Sequence, residues 1–116
     1  MITNTQVGIR VYNPDTYNEN GKLDVVTSEA NYSAFLSDDV SSDELNYIQS
    51  YGADGSKEVL TVQITNVFST NLNKENTFVV IDGNLYTIYH SRFQQSMFGT
   101  VILLYIQKGT DLVKWR

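Results

Sequence analysis

Along the first part of the chain Val7, Ile9 and Val11 alternate with Gly8, Arg10 and Tyr12, the period-2 pattern of a half-buried strand. The pattern stops at NPDTYNENG, residues 13–21, where Pro14, Asp15, Asn18, Asn20 and Gly21 crowd together. Such residues favour local side-chain bonding or positive φ, so this stretch predicts a turn or hairpin tip. LDVVTSEANYSAFL, residues 23–36, reads as a second long strand with Tyr32, Ala34 and Leu36 on one face. Ser41 or Ser42 then caps a short helix over residues 43–50, with acids in its first turn and Gly52 as its stop. Leu45 and Ile48 fall at helical spacing, with Tyr51 at the margin of the series.

After a loop at residues 53–57, alternation resumes through Val59 or Leu60, Val62 and Ile64, and reaches towards Val67. STNLNKEN breaks it. Residues 78–81 and 85–92 flank the turn Asp82-Gly83-Asn84, a Gly-containing connection that predicts an antiparallel hairpin. Residues 100–107 make the last strand, and its run Val101-Ile102-Leu103-Leu104-Tyr105-Ile106 does not alternate. That predicts a strand buried on both faces, or one at a sheet crossing. There is neither a repeat nor a low-complexity tract. The expected fold is all-β: a small antiparallel β-barrel or sandwich of about six strands, with one short helix and a long loop. Closure would also remove exposed sheet edges.

Composition supports this picture and narrows the chemistry. The 116 residues suit a single domain, 1–116, with residues 110–116 as a tail for docking a partner. With 41% hydrophobic residues, a core needs no covalent staples. A domain of this size buries roughly two-thirds of its unfolded surface. Cysteine is absent, which excludes disulfides, thiolate catalysis and Cys-ligated zinc. Residues 1–30 lack a basic start and apolar stretch of the signal-peptide kind, and no apolar run is long enough to span a bilayer. The expectation is a soluble protein that stays where it is translated and has no membrane partner.

The net charge of -5 is unevenly spread. Residues 1–58 hold ten acids against Arg10, Lys22 and Lys57, net -7, and residues 59–116 carry net +2. An acidic balance argues against a dedicated phosphate-backbone binder. The acids either solvate loops or give identical copies unlike surfaces that dock head to side.

Catalytic equipment is sparse. His90 is the one histidine, and the sequence supplies no nucleophile-elbow pattern to go with it. It reads as a surface or rim residue near a strand end. Asp38, Asp39, Asp43 and Glu44 lack calcium-loop spacing, and a helix's first turn welcomes acids without a metal. Asn31-Tyr32-Ser33 matches a glycosylation sequon by chance, and the seven glycines form no phosphate cradle. The expectation is no enzyme, no metal and no cofactor.

Three stretches instead read as contact surfaces. Phe93, Met97 and Phe98 surround a turn that polar residues would ordinarily occupy, so they either fold back on the core or face a partner. Trp115 sits in a tail that frays unless it docks. The region 38–57, with Asp43, Glu44, Tyr51 and Asp54, is too long for a bare hairpin and too polar for core.

In this order the elements resemble the phage head-tail joining proteins, and most of all the head-closure (stopper) family of long-tailed phages. The likeness spans residues 7–109. NYSAFLSDDVSSDE is similar to that family's strand ending in Ala-x-Leu or Ala-x-Val before a Ser-rich, Glu-bearing loop, and VLTVQIT stands for its middle strand. FVVIDGNLYTIYHSR matches its apolar-x-x-Asp-Gly-x-x-Tyr-x-Ile hairpin through Asp82, Gly83, Tyr86 and Ile88, and TVILLYIQKG completes the set. One departure is Val79 and Val80, where the family often carries a basic residue.

The resemblance implies a β-barrel that assembles with copies of itself into a ring in the virion neck, after a period in the host cytoplasm. Its neighbours would be a portal or adaptor protein of the head and the tail-end proteins. Genomic DNA would pass through the ring without sequence-specific binding. In head-closure members a long loop blocks the channel, and its counterpart here lies within residues 38–57. Phe93, Met97, Phe98 and Trp115 are the expected subunit or partner contacts. A tail-completion role in the same neck is the near alternative. From another class comes an OB-like nucleic-acid-binding barrel, with Tyr12, Tyr86, Tyr89 and Phe93 as its stacking face.

Overall fold

A computed structural model describes residues 2–55, 57–65, 75–96 and 99–109. Six strands and one helix occur in the order β1 (Ile2–Tyr12), β2 (Val26–Ser37), α1 (Ser42–Gln49), β3 (Leu60–Thr65), β4 (Thr77–Ile81), β5 (Asn84–Ser96) and β6 (Gly99–Lys108). They close into a barrel ordered β1-β2-β3-β6-β5-β4, every pair antiparallel. Two three-stranded meanders are thus sewn together along β3–β6 and β4–β1. This decides between barrel and sandwich.

The β4–β5 hairpin turns as its residues require. Ile81 pairs with Asn84 across a two-residue connection. Asp82 and Gly83 both take positive φ, 51° and 79°. That is the left-handed geometry whose twist matches the flanking strands, and Asp-Gly tolerates it. Asn84 therefore belongs to the strand and not to the turn.

All six strands contribute to the barrel interior: Val7, Ala34, Val62, Ile64, Val79, Ile81, Ile88, Ile102, Leu104 and Ile106. The expected inward triplet of β2 is present, with Ala34 2% exposed and Tyr32 and Leu36 packed beside it.

Two excursions cover the outside of the wall. Residues 13–25 fold back so that Leu23 and Tyr17 pack with Tyr12 and Phe78. The Tyr12 and Phe78 rings meet edge to face at 5.7 Å. Asn18 organises this tip, its Oδ1 accepting the Asn20 and Lys22 N–H groups at 2.9 and 3.0 Å. Residues 38–59 form the second excursion. Val40, Leu45, Ile48, Ala53 and Val59 pack there with Leu103 and Tyr105 of β6. This explains the unbroken apolar run in β6: Ile102, Leu104 and Ile106 face the barrel core, while Leu103 and Tyr105 meet the excursion.

Helix α1 forms where the sequence places it, shifted by one residue. Ser41 is its N-cap, accepting the Glu44 N–H at 3.2 Å, and Asp43 and Glu44 sit in the first turn at the positive end of the helix dipole. Gly52 just beyond takes φ 100°. Ile48 is 1% exposed, but Tyr51 at 45% lies outside the apolar series.

Candidate functional site

A β-bulge sets up the most chemically distinctive face. Ile88 pairs with Ile106 and His90 with Tyr105, so Tyr89 is an extra residue on β5. Strict alternation would keep His90 on the inward face of Ile88. The bulge flips it outward, together with Arg92, and turns Phe93 inward opposite Ile102. His90 also lies well inside β5, which runs on to Ser96, and not near a strand end.

α1 and the residues after it supply the other half. Tyr47 and Tyr51, one helical turn apart, join their hydroxyls at 3.1 Å with ring centroids 5.3 Å apart. His90 stacks on Tyr51 at 4.8 Å and 29° and meets the Tyr47 ring edge-on at 5.1 Å. Tyr105 closes the group at 6.0 Å from His90. The Arg92 guanidinium lies 5.7 Å from the Tyr47 ring centre, in cation–π range. Beyond Arg92 the face dips into a shallow depression lined by Gln63, Arg92, Gln94, Val101 and Leu103.

Hydrogen bonds hold the helical excursion against this wall. The Tyr105 hydroxyl donates to Glu44 Oε2 at 3.0 Å. Gln107, 1% exposed, accepts the Asp54 N–H at 3.0 Å and donates to the Asp54 and Lys57 carbonyls at 2.7 and 3.3 Å. Burial, and then the Glu44 hydrogen bond, raises the Tyr105 hydroxyl above its ordinary pKa. The Tyr51 hydroxyl is raised chiefly by its hydrogen bond to Tyr47, and Tyr89 by burial, with Asp54 adding to it.

Of the residues singled out from the sequence, Glu44 and Tyr51 come together at this face. Asp43 is exposed in the first turn of α1, and the Asp54 backbone is clamped by Gln107. Phe93 folds back onto the core. Met97, Phe98 and Trp115 lie outside the described residues. The four aromatics of the stacking-face reading do not share a surface. Tyr12 is buried beneath the first excursion, Tyr86 and Phe93 pack on the interior cluster, and Tyr89 is the bulge residue. Sequence reasoning missed His90 and Arg92 as partners of Tyr47, because the bulge before them, and not simple alternation, turns their shared side of β5 outward.

The face offers ring surfaces, phenol hydroxyls, one guanidinium and two amides, which is the equipment of a contact surface. Among the described residues no three or more of His, Cys, Asp and Glu gather as metal ligands, and no helix is long and apolar enough to cross a membrane. Comparison with protein-family models and with curated protein sequences returns no match.

Proposed function

We propose that this chain is a structural protein of the phage neck, a subunit of the ring that joins the DNA-filled head to the tail and helps close its channel. The reading starts from the ordered set of motifs in residues 7–109. The observation that supports it best is the match between that expectation and the architecture. A small closed barrel carries one long, acidic, helix-bearing excursion between β2 and β3, where the likeness puts the channel-closing segment. The excursion is held to the wall by an apolar cluster, the Gln107 clamp, the Tyr105–Glu44 bond and the packing of Tyr47 and Tyr51 on His90 and Arg92. To reach a channel it would have to leave that wall at least in part, and an apolar cluster separate from the barrel interior suits a segment with two positions.

Electron microscopy of lysates from a phage whose copy of this gene is interrupted tests the proposal. Separate heads and tails are expected, and normally tailed particles would overturn it. Flanking reading frames for portal and tail proteins would then choose among stopper, adaptor and tail-completion roles. Deletion of residues 50–57 should leave assembled particles that leak DNA.

A further inference from the structure

The depression beside the aromatic face has a chemistry that the barrel itself does not satisfy. Arg92 is exposed, lies over Tyr47, and has no carboxylate paired with it among the described residues. Gln63 and Gln94 flank it as exposed amides, and Val101 and Leu103 give a half-buried apolar floor. Such a surface fits an acidic loop with an apolar shoulder: a carboxylate for the guanidinium fork, backbone groups for the amides and aliphatic side chains for the floor.

The chain itself contains a segment of that description. The β1–β2 tip presents Asp15, Glu19 and Asp24 against the single base Lys22, all exposed. Next to them Val25 and Val26 stand 41% and 44% exposed, large apolar side chains left in solvent. The tip is preorganised by the Asn18 hydrogen bonds and by Tyr17 and Leu23, so little ordering opposes its docking. Within one subunit the two surfaces are kept apart. The tip joins β1 to β2 and packs over Phe78 of β4, whereas the depression centres on β6, three strands from β1 and two from β4 around the barrel.

We propose that the acidic β1–β2 tip of one copy docks into the Arg92 depression of the next. The contact is heterologous, so repeating it closes a ring where the rotation allows. Its charges are complementary, with Asp15, Glu19 and Asp24 on the tip and Arg92 in the depression. The inference deepens the ring reading and rests on it for the identity of the partner as a second copy.

The absence of cysteine makes the test clean. The full-length chain carrying Glu19→Cys and Gln94→Cys, both exposed positions, is oxidised mildly at high concentration and run on a non-reducing gel, with circular dichroism checking the fold. The expected result is a ladder extending beyond the dimer to a closed ring. Each single variant should stop at dimer or below. Adding Arg92→Glu should reduce the ladder at least about tenfold, because an interfacial charge pair becomes a like-charge contact. Only monomer from the double variant, or a ladder indifferent to Arg92→Glu, would overturn the proposal. Failure on the gel while gene interruption still separates heads from tails would sink this contact and leave the neck role standing.

Discussion

At the scale of the residue, Tyr105 shows how one hydroxyl ties two elements together. Its ring belongs to the buried cluster under α1, and its hydroxyl donates to Glu44 near the start of the helix. Tyr105→Phe keeps the ring and removes the donor, so stability should fall by about 1 kcal/mol in urea unfolding at neutral pH. The pH dependence has a definite sign. The hydroxyls of Tyr105, Tyr51 and Tyr89 are all raised above the ordinary value of 10.0, so the folded chain holds protons that the unfolded chain has released. Their contribution is full below 10.0 and is lost as pH rises through the folded-state values. Unfolding free energies measured across that alkaline window should decline, and less steeply in Tyr105→Phe. None of this could be read from the residue itself, since Tyr105 stands in an apolar run that presents it as ordinary core.

At the scale of the element, β6 is the strand on which the two layers meet. Its run of apolar residues announced burial on both faces, and the structure supplies the second face in the helical excursion. Gln107 was not legible in the same way. A glutamine one residue past an apolar run reads as a strand end, yet it is 1% exposed and bonds to backbone groups about fifty residues earlier. Gln107→Leu retains similar volume and removes three hydrogen bonds. It should cost about 1–3 kcal/mol, because the Asp54 N–H loses its acceptor in a part-buried place. Amide exchange around Ala53 and Asp54 should quicken more than exchange in the β3–β6 ladder. The helix, by contrast, was legible almost to the residue, because its signals are local: a serine cap at Ser41 or Ser42, acids in the first turn and a glycine past the end.

At the scale of the whole molecule, the barrel interior and the outer clusters are separate stores of stability. Leu104, 0% exposed, lies in the interior cluster, and Leu104→Ala should cost about 2–5 kcal/mol and lower the melting temperature of the entire domain. Ile48 anchors only the outer excursion. Ile48→Ala should therefore expose residues 38–57 to limited proteolysis while near-native strand content persists in circular dichroism. A global loss of structure in Ile48→Ala would show that the excursion folds as one unit with the barrel, and would weaken the case for a segment with two positions.

What the amino-acid sequence determined by itself is whatever depends on neighbours along the chain. Strand alternation, the Asp-Gly turn and the capped helix all follow from local sterics and hydrogen bonding, and with them came an all-β chain with one helix. The tertiary structure alone decided closure of the strands into a barrel, since the pairing of β1 with β4 and of β3 with β6 joins residues far apart in sequence. It alone decided the face that matters most for contact. A one-residue bulge after Ile88 reverses the side on which every later β5 side chain stands, and that shift is set by the partner strand. Hence His90 and Arg92 meet Tyr47 and Tyr51 from the far side of a fold, an encounter that no local pattern encodes.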